Sequence, residues 1–291
     1  IGFFREKSYV IKADKAFLVT VFGALLMLMG FILLYAETGS FDLAVIKSSL
    51  GPKALPDMIV LLILFGILTK SATLPFHTWL PDAGVAPSPV TALLHAAVLV
   101  KIGVYVFARL FIATFTISTI WHIIVPVIAA GSALISAGAA LVETDMKRII
   151  AYSTVSQIAF IFLGLTVGGG IGLAGALLYI LMHGIAKAGL FLSAGIIEHG
   201  THTKDITKMG GLFGAMPLTA ISFLFCAFSV MGTPPFGGFF SKYMVMSGAF
   251  NDNVWIALTF LVGAFLTILY LFRLFNMVFM GDENTPATRE G

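Results

Sequence analysis

The sequence contains little charge and almost no cysteine. Of its 291 residues, 11% are Asp, Glu, Lys or Arg, and Cys226 is the single cysteine. One cysteine excludes an intrachain disulfide and a cysteine-ligated cluster. Soluble domains carry about 25% charged residues, whereas this chain is 59% hydrophobic and has a mean hydropathy of +1.02. The composition therefore predicts a polytopic membrane protein.

The sequence also lacks the patterns that mark several kinds of functional site. It has no P-loop, no HExxH pattern and no paired Cys/His spacing for a metal ion. The glycine-rich stretch at 167–175 follows no strand, so it predicts a tight turn and close helix contact. The net charge of +3 is too small to indicate nucleic acid. We expect no cofactor, no metal, no redox or catalytic centre and no nucleic-acid partner for this chain.

The N-terminal residues IGFFREKSYVIKADK contain neither an initiator methionine nor the progression of a signal peptide. The first four residues resemble the end of a hydrophobic segment. We therefore expect the chain to be a fragment, or a truncated form, of a longer protein.

Eight apolar runs are present, and most have about the 20 residues needed to cross a bilayer. They lie at 16–36, 57–72, 89–111, 119–142, 149–166, 171–197, 217–232 with a continuation to about 249, and 254–280. They predict an all-α fold, a membrane bundle of about eight transmembrane helices.

Prolines interrupt two of these runs. LPFHTWLP at 74–81 contains Pro75 and Pro81, and GTPPFGG at 232–238 contains Pro234 and Pro235. A proline removes a backbone donor and clashes with the preceding turn. At membrane depth such a break is tolerated only where the freed groups are buried in protein or line a wet cavity. The second and seventh helices are therefore predicted to be broken.

The basic residues between the runs are distributed unevenly. Eight spans place both ends on one side, and ten basic residues belong to that side: Arg5, Lys7, Lys12, Lys15, Lys147, Arg148, Lys204, Lys208, Arg273 and Arg289. The other side has three, which are Lys47, Lys53 and Arg109. The positive-inside rule then predicts that both ends are cytoplasmic.

Four lysines lie within the apolar runs or at their broken edges: Lys70, Lys101, Lys187 and Lys242. A charge at the centre of a membrane helix costs roughly 2.5 to 3.5 kcal/mol. These lysines are therefore the main functional signal, and snorkelling to an interface is the alternative, above all for Lys70 and Lys242 near the breaks. Because burial lowers the pKa of a lysine in general, such a group can load and release a proton near neutral pH.

Tyr179, His183 and Lys187 recur every four residues and therefore share one helix face. Histidine titrates near neutral pH. This face is predicted to form a hydrogen-bonded stripe.

Two further histidines occur in or beside the apolar runs, His77 and His95. Each has a packed, hydrogen-bonded structural role as its alternative. His95 and Lys101 are six residues apart, about 120° around a helix, so water rather than direct contact is expected to join them.

Five blocks of sequence carry a family resemblance. They are TKSATLPFHTWLPDAGVAPSPVTALLHAA at 69–97, ETDMKRIIAYSTVSQIAF at 143–160, HGIAKAGLFLSAG at 183–195, KMGGL at 208–212 and PPFGGFFSK at 234–242. With them the chain resembles the antiporter-like membrane subunits of respiratory complex I (NADH:quinone oxidoreductase), energy-converting membrane-bound hydrogenases and multisubunit (Mrp-type) Na⁺/H⁺ antiporters.

The resemblance implies a bundle built from two inverted repeats, each with one broken helix, and ions crossing through charged residues at the midplane. The resemblance also implies that residues 1–291 form a single transmembrane ion-translocation domain. Residues 1–111 would be a partial first repeat, and residues 119–280 would be the second repeat. Matched position by position, the proton relay comprises Lys70, His95, Lys101, Lys147, Tyr179, His183, Lys187 and Lys242.

The chain departs from the family pattern at two points. Tyr179 stands where the relay often has a histidine, and a tyrosine does not hold a proton as a cation near neutral pH. The acidic residue that the family pairs with Lys70 is expected upstream of Ile1.

The resemblance implies a proton-translocating subunit of a redox-driven ion pump, in which a change of charge at Lys70 shifts protons through Lys101, His183 and Lys187 to Lys242. One alternative is a subunit of a multisubunit Na⁺/H⁺ antiporter. Another is a truncated, structural membrane subunit.

The expected partners are homologous antiporter-like subunits, other membrane subunits and a redox arm, together with the lipid bilayer and H⁺, for which Na⁺ is the alternative ion. The expected location is a prokaryotic cytoplasmic membrane.

Overall fold

The computed structural model describes residues 6–167, 169–282 and 286–289, and these form a helical bundle. Its helices are α1 (Lys7–Thr38), α2 (Leu43–Leu50), α3 (Asp57–Lys70), α4 (Trp79–Asp82), α5 (Ser88–Ala92), α6 (Leu99–Phe107), α7 (Trp121–Val142), α8 (Met146–Thr166), α9 (Gly169–Thr201), α10 (Pro217–Met231), α11 (Gly237–Asp252) and α12 (Val254–Phe279). The all-α membrane fold predicted from the sequence is confirmed.

Helices cover all eight apolar runs, and α2 and α4 lie outside them. Among the described residues, six segments are long and apolar enough to cross a membrane: 7–38, 88–112, 121–142, 146–166, 169–201 and 254–279. The other two runs give the shorter helices α3 and α10–α11, because prolines divide them. Side-chain caps fix several starts: Asp42, Asp145 and Asn253 accept backbone N–H groups at the first turns of α2, α8 and α12.

The first interruption extends from Ser71 to Thr78, between α3 and α4. Pro75 lies in it, but Pro81 does not break a helix, because it is the third residue of α4. The freed backbone groups find partners inside the protein. Ser132 of α7 accepts from the Leu74 N–H, and the Trp79 indole donates to the Thr69 carbonyl.

The second interruption lies between Met231 and Gly237 and contains both Pro234 and Pro235. Gly232 ends α10 with φ of +83°, a left-handed conformation that glycine adopts without steric cost. Thr233 N–H still bonds to the Phe228 carbonyl, so the helix closes with one tight turn before the chain becomes irregular.

The helical span 88–112 is irregular in its middle and at its end. Leu93–Ala97 and Ala108–Ile112 form π-helical turns on either side of α6. A π-turn inserts an extra residue into the helix and often occurs at functional positions. Here the first one contains His95.

Helix α8 forms the centre of the bundle. Its side chains from Ile149 to Leu165 are nearly all buried, whereas α1 exposes Leu18 and Leu25 at 64% and 60%. α7, α9 and α11 pack around α8, and α1 packs mainly on α3. The exposed apolar face of α1 is compatible with lipid or another membrane helix.

Ion pairs concentrate at one end of the bundle. Asp82 of α4 pairs with Lys15 of α1 at 2.7 Å and with Arg148 of α8 at 3.0 Å. Arg148 also pairs with Glu143 at 2.8 Å, and Arg273 of α12 donates to the Glu143 carbonyl. These contacts tie four helices together at the end where the basic residues cluster.

Lys47 and Lys53 lie at the opposite end of the bundle, beside the 113–120 loop. Arg5, which we assigned to the basic side, is outside the described residues. The orientation in the membrane and the division into repeats at 1–111 and 119–280 stay predictions.

We expect Gly238→Ala to destabilise the protein. A methyl group at this position would overlap the carbonyl oxygen of Ser229, where α11 passes α10. Overpacking of this kind costs about 1–3 kcal/mol. Thermal unfolding of the detergent-solubilised protein should therefore begin at a lower temperature.

The matched control is Gly138→Ala in α7, where an added Cβ meets no atom within 4 Å. Alanine gains up to about 1 kcal/mol of helix propensity over glycine. Equal unfolding temperatures for the two variants would contradict the close α10–α11 contact.

Candidate functional site

Three of the four intramembrane lysines are buried in the bundle. Lys187 is 0% exposed, Lys242 6% and Lys101 8%, whereas Lys70 is half-buried. Snorkelling to an interface therefore does not describe Lys187, Lys242 or Lys101. The site can be built outward from Lys187, the most deeply buried of them.

Lys187 of α9 points at the central helix α8. Its Nζ donates to the carbonyl of Ile150 at 3.1 Å and to the hydroxyl of Ser153. Both acceptors are neutral. The ammonium is thus solvated by dipoles of α8 and has no carboxylate among the partners found in the described chain.

A buried hydrogen-bond network continues from Ser153. Its hydroxyl lies 2.6 Å from the Tyr270 hydroxyl of α12, and Gln157 donates to Thr267 at 3.0 Å. Tyr179 donates to the Gln157 side-chain oxygen at 2.6 Å. The partners on α8 and α12 were not predicted from the sequence, because small polar residues in an apolar run give no distinctive signal.

The predicted stripe on α9 is only partly right. Tyr179, His183 and Lys187 do share a buried face, but the hydrogen bonds of Tyr179 and Lys187 cross to α8 instead of running along α9. Tyr179 and His183 are ring neighbours, with centroids 5.8 Å apart.

Lys242 of α11 reaches back to the end of α10. Its Nζ donates to the Val230 carbonyl at 2.7 Å. In an uninterrupted helix this carbonyl would accept from residue 234, but Pro234 has no N–H. The proline therefore frees an acceptor at the negative end of a helix, and the lysine uses it.

Two aromatic rings also face the Lys242 ammonium. Nζ lies 4.8 Å from the Phe160 ring centroid and 5.6 Å from that of Tyr179. The negative face of an aromatic ring attracts a cation, by about 2 kcal/mol or more where water is excluded. Phe160 is thus a site residue that apolar patterning assigned to the core.

His183 lies among three lysines. The charges of Lys101, Lys187 and Lys242 all act on its ring. The Lys101 ammonium lies against Gly184, one residue along α9. Both ring nitrogens of His183 are buried without a partner in the part of the chain that the structure describes, and such groups need water to satisfy them.

His95 is held differently. Its Nδ1 lies 3.0 Å from the Thr91 carbonyl and its Nε2 lies 2.8 Å from the Leu80 carbonyl. A neutral imidazole has one N–H and satisfies only one of these acceptors, whereas the cation satisfies both. No direct bond between His95 and Lys101 occurs among the described residues, as their spacing predicts.

The remaining basic positions lie at the charged end of the bundle. Lys147 is 2% exposed and pairs with Glu198 at 2.6 Å, a partner that was not predicted from the sequence. Lys70 lines a largely apolar cavity of about 500 Å³ between α1 and α5. No ion pair of Lys70 is found within the described ranges.

The structure thus brings Lys101, His183, Lys187 and Lys242 together around α9, with Tyr179 beside them. Lys147 and Lys70 lie towards the charged end, in separate surroundings. The family described as "NADH:quinone oxidoreductase/Mrp antiporter, TM" aligns with residues 1–267. The chain belongs to this family.

Relatives come from both branches of the family. The chain is 38% identical to a Na(+)/H(+) antiporter subunit of Bacillus subtilis over 96% of its length and 38% of the relative. It is 39% identical to "NADH-quinone oxidoreductase subunit L" of Campylobacter jejuni over 100% of its length and 48% of the relative. The chain therefore spans less than half the length of these two relatives.

Solved structures share the fold. A chain of the membrane-bound sulfane sulfur reductase, an archaeal respiratory membrane complex, superimposes with a TM-score of 0.89 at 26% identity. The match covers 99% of this protein and 60% of that chain. The predicted likeness to subunits of complex I, antiporters and hydrogenase-like membrane complexes is confirmed.

We expect Phe160→Leu to destabilise the protein. The substitution keeps an apolar side chain but removes the ring 4.8 Å from the Lys242 ammonium. Loss of the cation–π attraction should cost about 0.5–2 kcal/mol, so the detergent-solubilised protein should unfold at a lower temperature. Phe160→Tyr, which keeps a ring face, is the control, and equal unfolding temperatures for Phe160→Leu and the unmodified protein would contradict a role for the ring.

Proposed function

We propose that the chain is a proton-translocating part of an antiporter-like membrane subunit, in a redox-driven ion pump. The observation that supports this most is His183, whose two ring nitrogens are buried without a protein partner, within the described residues, among three lysines. A purely structural buried histidine would have protein partners for its ring nitrogens.

Repulsion between the lysine charges would drive proton transfer from one group to the next. Lys101, Lys187 and Lys242 all act on the same ring, and no described carboxylate pairs with any of the three. Like charges that act on one another titrate as a coupled set, so the gain of a proton at one group favours its loss at another. A proton entering the cluster therefore displaces one at the far side.

The proposed direction follows the predicted relay. A signal from neighbouring subunits alters the charge of Lys70, and protons shift through Lys101, His183 and Lys187 towards Lys242. Water next to His183 would complete the steps that no direct hydrogen bond spans. The interrupted helices beside Lys70 and Lys242 supply free backbone groups where a charge must be held.

The hydrogen bonds of Tyr179 favour a positioning role over proton carriage. Its hydroxyl donates to Gln157, and an amide side chain does not exchange protons readily. Tyr179 instead orients its ring towards Lys242 and His183.

Other membrane subunits and a redox arm are the proposed partners, since the protein would supply no redox chemistry itself. The relatives named for NADH-quinone oxidoreductase and the archaeal respiratory complex support this assembly. The proposed location is a prokaryotic cytoplasmic membrane, with the charged end of the bundle facing the cytoplasm.

A second function is Na⁺/H⁺ antiport within a multisubunit antiporter. The Bacillus subtilis relative, which is named for a Na(+)/H(+) antiporter, favours it. Proton flux in vesicles with and without sodium distinguishes the two. A requirement for sodium at all proton gradients would favour antiport.

We expect Lys187→Ala to abolish proton transport, because it removes the cation nearest the centre of the relay. The full-length protein in its assembled complex should be reconstituted into vesicles, and acidification should be followed with a fluorescent dye. Removing a charge that has only neutral acceptors leaves no buried carboxylate unpaired, so assembly should be retained.

Lys53→Ala is the control, since Lys53 lies in an exposed loop at the other end of the bundle. Native rates of proton transport by assembled Lys187→Ala complexes would overturn the relay. Such a result would favour the structural membrane subunit.

A further inference from the structure

A second cavity opens at the charged end of the bundle, away from the lysine cluster. It has a volume of about 250 Å³ and is lined by Tyr9, Val85, Ala86, Pro87, Ser88, Lys147, Gly195, Glu198, His199 and Lys204. It differs from the cavity beside Lys70 because two lysines, a carboxylate and a histidine line it. Such a cavity is large and polar enough to hold water.

Glu198 connects the inside of this cavity to its mouth. One carboxylate oxygen lies 2.6 Å from Lys147 Nζ, and the other lies 3.1 Å from Lys204 Nζ. The side chain of Lys147 is 3% exposed, whereas those of Glu198 and Lys204 are 28% and 26% exposed. Glu198 is thus the partner of a buried ammonium and is itself in reach of the aqueous phase.

The next titratable group inward is His95. Its Nε2 lies 2.8 Å from the carbonyl of Leu80, four residues before Gly84, against which the Lys147 side chain packs. Its ring centroid lies 4.8 Å from that of Phe191, which is one turn of α9 from Lys187. Glu198, Lys147, His95 and Lys187 therefore form a series from the cavity to the centre of the relay.

We propose that Glu198 is the proton-exchange site at which the relay meets the aqueous phase at the charged end of the bundle. This inference rests on the proposed function and deepens it by naming the group that loads or releases the proton.

The proton balance is simple. Lys147 first gives a proton inward to His95 and becomes a neutral amine. The Glu198 carboxylate then takes a proton from water in the cavity and becomes a neutral carboxylic acid. The acid then donates its proton to that amine, which restores the carboxylate–ammonium pair with one proton moved inward. The reverse sequence releases a proton.

The groups around Glu198 allow both of its states. Lys147 from α8 and Lys204 from the loop after α9 stabilise the carboxylate. Tyr9 of α1 and His199 of α9 line the same cavity. When Lys147 is neutral, only Lys204 still favours the anion, so protonation of Glu198 becomes easier.

The chain offers a matched control in Glu143. Its side chain is 21% exposed and pairs with Arg148 at the same end of the bundle. Burial acts to raise the pKa of Glu143, but hydrogen bonds from the Thr144 N–H, the Arg148 guanidinium and the Asp145 N–H outweigh it and lower this pKa. Arginine does not give up its proton, so this pair cannot pass one on.

The test uses proton transport by the assembled complex in vesicles. Glu198→Gln keeps an acceptor for Lys147 but cannot exchange a proton, so transport should fall on the order of 100-fold. Glu198→Ala should be equally slow, and formate or acetate, which the cavity can admit, should restore transport in it. Glu143→Gln and Glu143→Ala should transport at near the native rate and gain nothing from these acids.

Native transport by assembled Glu198→Gln would overturn the inference. Slow transport by Glu198→Ala without rescue by either acid would also overturn it, since Glu198 would then act only as a structural partner of Lys147. The proposed function would fail in a different way. In that case the unmodified complex would transport no protons, or the Lys187→Ala variant would transport them at the native rate.

Discussion

The whole structure depends on one constraint, which is that polar groups away from water must find partners inside the bundle. Prolines leave backbone carbonyl or N–H groups without their usual helical partners, and particular side chains form hydrogen bonds to these groups. Pro234 leaves the Val230 carbonyl free, and Lys242 donates to it. In the first interruption, Ser132 accepts from the Leu74 N–H. Each break is thus stable because a residue from another segment completes it, and one of these residues is the buried Lys242.

The same constraint divides the charges into two populations. Ion pairs between oppositely charged side chains occur at the end of the bundle, where Asp82, Glu143 and Glu198 lie. The interior lysines are instead solvated by carbonyls, a hydroxyl and aromatic rings. Neutral dipoles stabilise a cation less strongly than a carboxylate does. The interior cations are therefore held by weaker partners than the cations at the end of the bundle.

Local sequence signals predicted the spans, the second break and the buried lysines, because hydropathy and proline act over a few residues. The first break was predicted at 74–81, whereas the structure has it at 71–78. Pro81 is tolerated in α4 because the N–H groups at the start of a helix have no intrahelical partner, so the missing N–H costs little. Helix α2 was missed, although Asp42 caps it. The Gln157–Tyr179 bond and the Lys147–Glu198 pair join residues from different helices. Contacts of that kind depend on how the helices pack, which one sequence does not specify.

Glycine links this packing to the proposed chemistry. Lys101 reaches α9 at Gly184, and any Cβ there would occupy the position of its ammonium group. A larger residue at this position would push Lys101 away from His183 without removing any titratable group. Gly175 likewise lets α11 approach α9, where a Cβ would lie 2.7 Å from the backbone N of Val245. The spacing of basic groups around His183 is therefore set by the absence of side chains on α9 as much as by the lysines themselves.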